Sequence, residues 1–364
     1  MLVCLLSILP ASGLAYALRG ALLADPPASG RDRAVLFGAC CLFTLVLTLL
    51  MQAFVFGALP LTADTDALVL GRCVGFSGIA ALMSPLLWAP GFGGARTRAA
   101  LNRDMRRFLA DLKRYAPYAL MSARAELKAQ VVNAHLSWMW WLIEPLCMML
   151  IYAFVFGVVF RAAEPQFALF LFIGITFWNF FACNVRTSAT VIRAHRGIIT
   201  RIYLPKYILY LGKMFVNFHK MLFSLGIIVV MMLVCRVSIS GNILFFPVLL
   251  LILFVLTFAA GVVLMHWGVF INDLDHVLGI VLRIMMYVVG VFYNVAARAP
   301  APFGELIDTF MPVTHLISAI RKSVLYCATP DWRMLAVWFA ASLCLLFFGI
   351  HVVYENENTY VRVV

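Results

Sequence analysis

The sequence predicts an all-α integral membrane protein, and three observations carry that expectation. Hydrophobic residues make up 64% of the 364 and charged residues 12%, with a mean hydropathy of +0.99, whereas a soluble domain carries roughly 25% charged residues. Apolar surface on that scale has no soluble core to enter, so lipid is its solvent. Apolar runs of about 20 residues, enough to cross the hydrocarbon core as a helix, recur along the chain. The third observation is the stretch Glu126 to Pro145, ELKAQVVNAHLSWMWWLIEP. A charged amphipathic segment there runs into a tryptophan cluster, a Glu-Pro pair and then an apolar span. That order describes a helix on the membrane surface that turns into one crossing it.

The first ninety residues offer apolar runs at about 2–24, 34–59 and 67–90. The amino terminus lacks a basic n-region and Pro10 interrupts its apolar stretch, which favours a short first span over a cleaved signal peptide. Arg31 and Arg33 place the first join in the cytoplasm, and the Asp64 and Asp66 join then falls outside. Residues 1–92 thus read as two or three extra transmembrane helices.

Residues 93–137 read as a cytoplasmic, basic, interfacial segment. Gly91, Gly93 and Gly94 break the chain. Leu101, Met105, Phe108, Leu109 and Leu112 then recur at helical spacing, with Arg103, Arg106, Arg107, Lys113 and Arg114 on the remaining faces. Pro117 is expected to end this helix. A second amphipathic stretch, Leu120 to Leu136, leads into the tryptophans.

Residues 138–364 form the main domain, with spans expected at about 138–160, 167–188, 207–235, 243–270, 277–296 and 333–353. The join carrying Arg186, Arg193, Arg196, Arg201, Lys206 and Lys213 faces the cytoplasm. Alternation puts 161–166 and 236–242 outside and the acidic INDLDH turn at 271–276 inside. Residues 297–332, with Pro300, Pro302, Pro312 and Pro330, form a long external segment with room for two short helices. The carboxyl tail returns to the cytoplasm.

The net charge of +12 falls in short loops between spans, where it orients the protein, so no nucleic-acid partner is expected. The nine Cys form no C-x-x-C pair and mostly lie in apolar runs; the seven His lack ligand spacing, so no metal site is expected. No G-x-x-x-x-G-K-[ST] loop occurs, so this chain alone should not hydrolyse ATP. No paired carboxylates or nucleophile motif mark an enzyme. Glu144, Lys213, His219, His266, Asp273, Asp275 and Arg283 are the candidate intramembrane charges. Nearly all sit near span ends, where snorkelling explains them. Ion coupling therefore has little support, and the energy for transport comes from elsewhere.

Three groups of residues are candidates for function. Trp138, Trp140, Trp141, Glu144 and Pro145, with Lys128 before them, mark a membrane entrance. They read either as an aromatic belt with Pro145 in the first helical turn, or as an opening for a lipid-linked substrate. The rings of the first two spans, Tyr152, Phe156, Phe177 and Trp178 among them, either pack against helices and lipid or line a pore whose aromatic faces suit sugars. The basic loop around Arg196 to Lys206 is either solvated beside headgroups or a short helix that enters a groove on a partner.

Together these elements resemble the membrane subunits of type-2 ABC exporters, in the branch that exports O-antigen, teichoic acid and other polysaccharides. The resemblance covers about 110–364. Leu127, Lys128, Leu136, Trp140 and Pro145 fit the family's interfacial helix, while Gln130, Val131, Ala134 and Ser137 depart from it. Val155, Phe156 and Gly157 match a turn after the first span, and Gly174 and Trp178 a G-x-x-x-W in the second. Ile198, Ile199, Arg201, Leu204, Pro205 and Lys206 match the coupling loop. Asn272, Asp273, Leu274 and His276 match the cytoplasmic turn, with Asn for Arg; Pro312 and Arg321 match the later external segment, with Met311 for Asn.

The resemblance implies a six-helix transmembrane domain in the bacterial cytoplasmic (inner) membrane, working as a homodimer. A separate ATPase subunit, which binds ATP and Mg, would dock on the coupling loop, with Arg196, Ile199, Arg201, Leu204, Pro205 and Lys206 as its residues. A lipid-linked glycan would be the cargo and Pro312 and Arg321 part of an external gate. The chain itself would need no cofactor. A drug or lipid exporter of the same fold, an ion-coupled carrier and a non-transporting scaffold are the alternatives.

Overall fold

The computed structural model describes residues 95–132, 137–160, 164–199, 201–238, 240–298, 304, 307–308 and 311–363. The expected extra spans of residues 1–92 lie outside the described residues. Among the described residues every regular element is helical. The chain divides into two compact units, one of residues 1–103 with 296–311, the other of 104–295 with 312–364. The second holds the helical bundle.

Five helices are long and apolar enough to span a bilayer: Met139–Val159, Phe167–Ala194, Lys206–Val234, Gly241–Phe270 and Trp332–Glu355. The first comprises α2 (Ser137–Tyr152) and a π-helical continuation, Ala153–Val159. The second is α3 (Phe167–Ala194), the third α5 (Lys206–Val234) after the single turn α4 (Arg196–Ile199). The fourth is a 3-10 turn, Gly241–Phe245, leading into α6 (Phe246–Phe270). The fifth is α9 (Trp332–Glu355), followed by α10 (Glu357–Val363). They occupy five of the expected spans.

The expected span 277–296 is shorter. Helix α7 runs only from Leu274 to Val288, 15 residues or about 22 Å, less than the hydrocarbon thickness. The chain then breaks at Gly290, whose φ of +78° suits glycine and strains other residues. The external segment holds α8, Pro312–Val324, with proline at its first position, where the missing N–H costs nothing.

Helix α6 is apolar on every face: Leu253, Ala259, Val262 and Met265 are buried against its neighbours, while Val248 and Leu251 stay exposed. At Gly268 a Cβ would strike the backbone of Ala189 on α3, so the two helices touch main chain to main chain, the close approach that small residues permit in membranes. Buried Asn184 on α3 donates to Phe180 O at 2.7 Å and accepts from Asn217 on α5 at 2.9 Å, an interhelical bond of the kind that fixes helices in lipid.

The amino-terminal helix of the described residues, α1 (Ala95–Val132), corrects an expectation. It is one helix of 38 residues passing through Pro117, not two segments parted there. A proline in a helix interior costs about 3 kcal/mol, and packing on both sides offsets it. Phe108, Asp111, Tyr115, Ala119, Ala123 and Glu126 recur at three and four residues and are buried or half-buried. Phe108 packs on Tyr207 with ring centroids 5.1 Å apart, and Lys213 Nζ bonds both Glu126 oxygens at 2.8 Å. Leu109, expected on the apolar face, is 57% exposed; Asp104 and Asp111 turn inward instead.

Joins assigned to one side of the membrane are bonded to one another. On the external side, Gln166 Nε2 donates to Cys235 O at 3.4 Å, Asn242 Nδ2 to Cys327 O at 2.7 Å and Tyr326 to Glu164 at 2.7 Å. On the side assigned to the cytoplasm, Arg193 donates to Asn272 Oδ1 at 2.9 Å and Arg186 to Asp275 at 2.8 Å.

Candidate functional site

The basic loop divides cleanly into anchors and a presented face. Ile199, Leu204, Pro205 and Lys206 are buried, Lys206 with only 3% of its side chain exposed. Arg196, Arg201, Ile202 and Tyr203 point outward, and Ile202 is 64% exposed. The division follows from local chemistry. His195 Nδ1 and N–H both reach Val191 O, at 2.8 and 3.2 Å, which ends α3. The α4 turn then reverses the chain, and Pro205 in extended conformation (ψ 126°) delivers it to α5. The result is an exposed apolar residue between exposed Arg201 and Tyr203 on a braced loop, a shape suited to a groove on another protein. Ile202 was not among the residues expected to act.

Around this loop lies a polar junction that the sequence did not single out. Arg107 on α1 donates to the Tyr203 hydroxyl and, at 3.2 Å, to Glu357 Oε2 on α10. Tyr203 donates to the same oxygen at 3.2 Å, and Lys206 Nζ lies 3.5 Å from Oε1. Partial burial, and then the neighbouring carboxylate, raise Tyr203 above the ordinary phenol range, so its hydroxyl remains a donor. Nearer the bundle, Tyr354 donates to Asp111 at 2.9 Å and bonds Tyr207 at 3.0 Å, with the Arg107 guanidinium 4.3 Å over its ring. His351 Nδ1 is 2.7 Å from Asp104 Oδ2.

Of the cytoplasmic-turn residues, Asn272 accepts from Arg193, whereas Asp273 and His276 are exposed at the start of α7. The acidic residue that pairs is Asp275. The bond from Arg186, opposed by slight desolvation, holds its carboxyl below the usual range.

At the entrance, Trp140 is exposed, Trp141 packs on Phe223 with centroids 5.8 Å apart, and Lys220 Nζ lies 5.5 Å over the Trp141 ring. Glu144 and Lys128 are exposed; the Trp138 side chain lies outside the described residues. Pro145 stands inside α2, not in a first turn, so it opens the ladder at Trp141 O. Met149 alone is buried between Met139 and Val159, and Leu150, Ile151, Phe154, Val158 and Val159 are exposed, so one face of this span is open to lipid or to another chain.

The aromatic residues separate into two sets, and half of the pore expectation is corrected. Phe177 and Trp178 are 0% and 2% exposed, packed on Phe246 and Phe181, and belong to the core of a single chain rather than to a pore wall. Tyr152 and Phe156 are half-buried; Tyr152 meets Phe292 edge to face at 4.6 Å and Phe156 stacks on it at 4.9 Å. Tyr152 precedes and Phe156 lies within the π-helical segment, which ends with Phe160 N–H to Val155 O at 3.0 Å, a rare geometry common at functional sites.

In the external segment Arg321 on α8 is 4% exposed. Its guanidinium donates to Phe170 O at 3.1 Å, Gly290 O at 2.7 Å and Val291 O at 2.8 Å, and lies 3.5 Å from the Phe170 ring centroid. A Cβ at Gly174 would collide with this guanidinium and stand 3.0 Å from Val291 O. Gly174, Gly290 and Arg321, far apart in sequence, make one lock between α3, the end of α7 and α8. Pro312 only begins α8.

Comparison with known proteins bears on this arrangement. The sequence model of the family described as "ABC-2 type transporter" matches residues 119–325, from the buried Ala119 of α1 to the residue after α8. The chain is 25% identical over 243 residues to an O-antigen export system permease protein RfbA of Myxococcus xanthus, covering 67% of this chain and 94% of that one. It is 22% identical over 228 residues to a protein of the same name from Klebsiella pneumoniae, covering 62% and 87%.

Proposed function

Because the chain belongs to the ABC-2 type transporter family, whose model spans more than half of it, we propose that it exports a lipid-linked cell-surface polysaccharide as a homodimer driven by a separate ATPase. As a family member it is a multi-pass transport subunit of the bacterial inner membrane. The names of its relatives supply the cargo class, O-antigen-type glycan, and favour it over drugs.

The observation that carries the ATPase contact is the loop. Four buried anchors hold it, and Arg196, Arg201, Ile202 and Tyr203 are presented outward. Hydrolysis elsewhere reaches this chain only through a surface that is both exposed and rigidly connected. The second copy is expected against the unburied face of α2 and against α7, where Val277, Ile280, Val281, Ile284 and Tyr287 stand exposed at helical spacing. Cargo entering beside Trp140 to Pro145 would meet the half-buried Tyr152 and Phe156 between the two copies.

The test is the double substitution Arg201→Glu and Ile202→Asp. Both side chains are exposed, so the permease should insert and remain folded. Capture of the ATP-binding subunit on the purified permease should weaken at least about tenfold, roughly 1.4 kcal/mol, and glycan should cease to reach the cell surface. Undiminished capture and export would refute the loop as the contact.

A further inference from the structure

We infer that the carboxyl-terminal helix α10 is a coupling element, which ties the presented loop to the interfacial helix α1 through Glu357. The inference rests on the reading of the loop as the ATPase contact and adds to it where the motion goes.

One carboxylate gathers three elements. Glu357 Oε2 accepts from Arg107 of α1 and from Tyr203 of the loop, each at 3.2 Å, and Oε1 lies 3.5 Å from Lys206 at the start of α5. Lys206 is buried, and a buried cation needs a partner held in place. Helix α10 is itself seated. Tyr360, one turn beyond Glu357, is fully buried, its hydroxyl 2.7 Å from His266 Nδ1 and its ring packed on Phe270. The carboxylate therefore sits on an anchored helix and not on a loose tail.

Helix α1 is held a second time, at Glu126, by Lys213 of α5. The two attachments are nineteen residues apart, about 28 Å along the helix. A body fastened to the loop at Arg107 and to α5 at Glu126 moves with them, so a push on the loop is delivered along α1 towards the entrance at Trp140. Without Glu357, Arg107 and Tyr203 keep their mutual bond and Arg107 its contacts to Asp111 and the Tyr354 ring within the bundle, but the loop loses its tie to α10 and Lys206 its ion pair. The loop can then be displaced while α1 stays behind. Glu357 is thus a positioning residue, in contact with neither ATPase nor cargo.

The experiment uses the full permease with its ATPase, reconstituted in vesicles, and needs no cargo. Spin labels on unnatural side chains at the exposed positions Met121 (α1) and Leu251 (α6) report their separation with and without ATP and vanadate. The wild-type distance should change on trapping. In Glu357→Ala the ATPase should still bind and turn over, and the change should fall at least fivefold. Glu357→Gln keeps the shape and loses the charge, so it serves if the alanine variant folds poorly; it should reduce the change at least twofold. A normal change in both variants, or none in the wild type, overturns the inference. The Arg201→Glu, Ile202→Asp chain separates the two readings, since it should lose both capture and movement. If it loses neither, the loop assignment fails; if it loses both while the Glu357 variants move normally, only the clasp fails.

Discussion

The two ends of the bundle solve the problem of charge in opposite ways. At the external end one guanidinium, Arg321, is sealed inside and held by main-chain carbonyls of α3 and of the break after α7. At the other end charges gather in numbers, and all but the buried Lys206 are partly exposed: Arg107, Asp111, Glu357, Arg186 and Asp275. Exposed ion pairs are worth about 0–1 kcal/mol each and exchange partners readily, whereas a buried cation loses several kcal/mol when its acceptors go. The external end is built to keep one geometry. The loop end is built so that groups can trade bonds at small cost, as a surface driven by another protein requires.

Breaking the external lock should therefore have the largest effect. Arg321→Ala leaves Phe170 O, Gly290 O and Val291 O short of a donor in a site with no room for bulk water. The expected loss is about 3–5 kcal/mol, read as a fall in the thermal unfolding midpoint of the detergent-solubilised permease. Gly174→Ala should approach the same loss from the other side, since its methyl meets the guanidinium and Val291 O. If the two losses prove independent and additive in the double variant, the two positions do not form one lock.

How much of this was legible in the sequence depends on which force wrote each part. Lipid demands length and apolarity, which a run of residues displays without reference to any partner. Five spans accordingly stand within a few residues of where they were expected. The sixth is shorter than expected because apolar residues continue through VVGVFYN and hide the turn at Gly290, for which the glycine itself was the only mark. The loop was readable from its basic residues and Pro205. Its anchors were not separable from its presented face, because burial of Leu204 and exposure of Ile202 depend on helices that arrive later in the chain. The junction at Glu357 was invisible. Arg107 and Glu357 are 250 positions apart, and an acidic residue in a terminal helix looks solvated. Asp104 and Asp111 stand seven residues apart, one face of a helix two turns on, which was a usable signal had acids been sought on the buried side.

The compliant end can be stiffened as well as broken, and Pro117 is the place. It lies between the Arg107 and Glu126 attachments and its ring is exposed, so Pro117→Ala removes no packing and restores one ladder hydrogen bond. The variant should gain about 1–2 kcal/mol, less than the full proline cost because the native helix has already relaxed around it. A loss of stability would mean that the proline's local geometry is required for α1 to reach both attachments.

The smallest effect belongs to the pair Arg186–Asp275, which joins α3 to the first turn of α7 at 2.8 Å. The Asp275 carboxyl is held below its ordinary value chiefly by the bond from Arg186. A depressed carboxyl stabilises the fold wherever the unfolded chain still binds the proton more readily. Its contribution is therefore complete above the ordinary aspartate value of about 3.9 and fades as pH falls through the lowered native value. Arg186 is largely exposed, with 57% of its side chain accessible, so the pair should be worth only roughly 0.5 kcal/mol. Asp275→Asn should cost that much at pH 7, by the same amount from pH 6 to 9, and the difference from wild type should shrink only below about pH 4. A difference that instead varied between pH 6 and 8 would show that the Asp275 carboxyl is not the group through which this turn responds to pH.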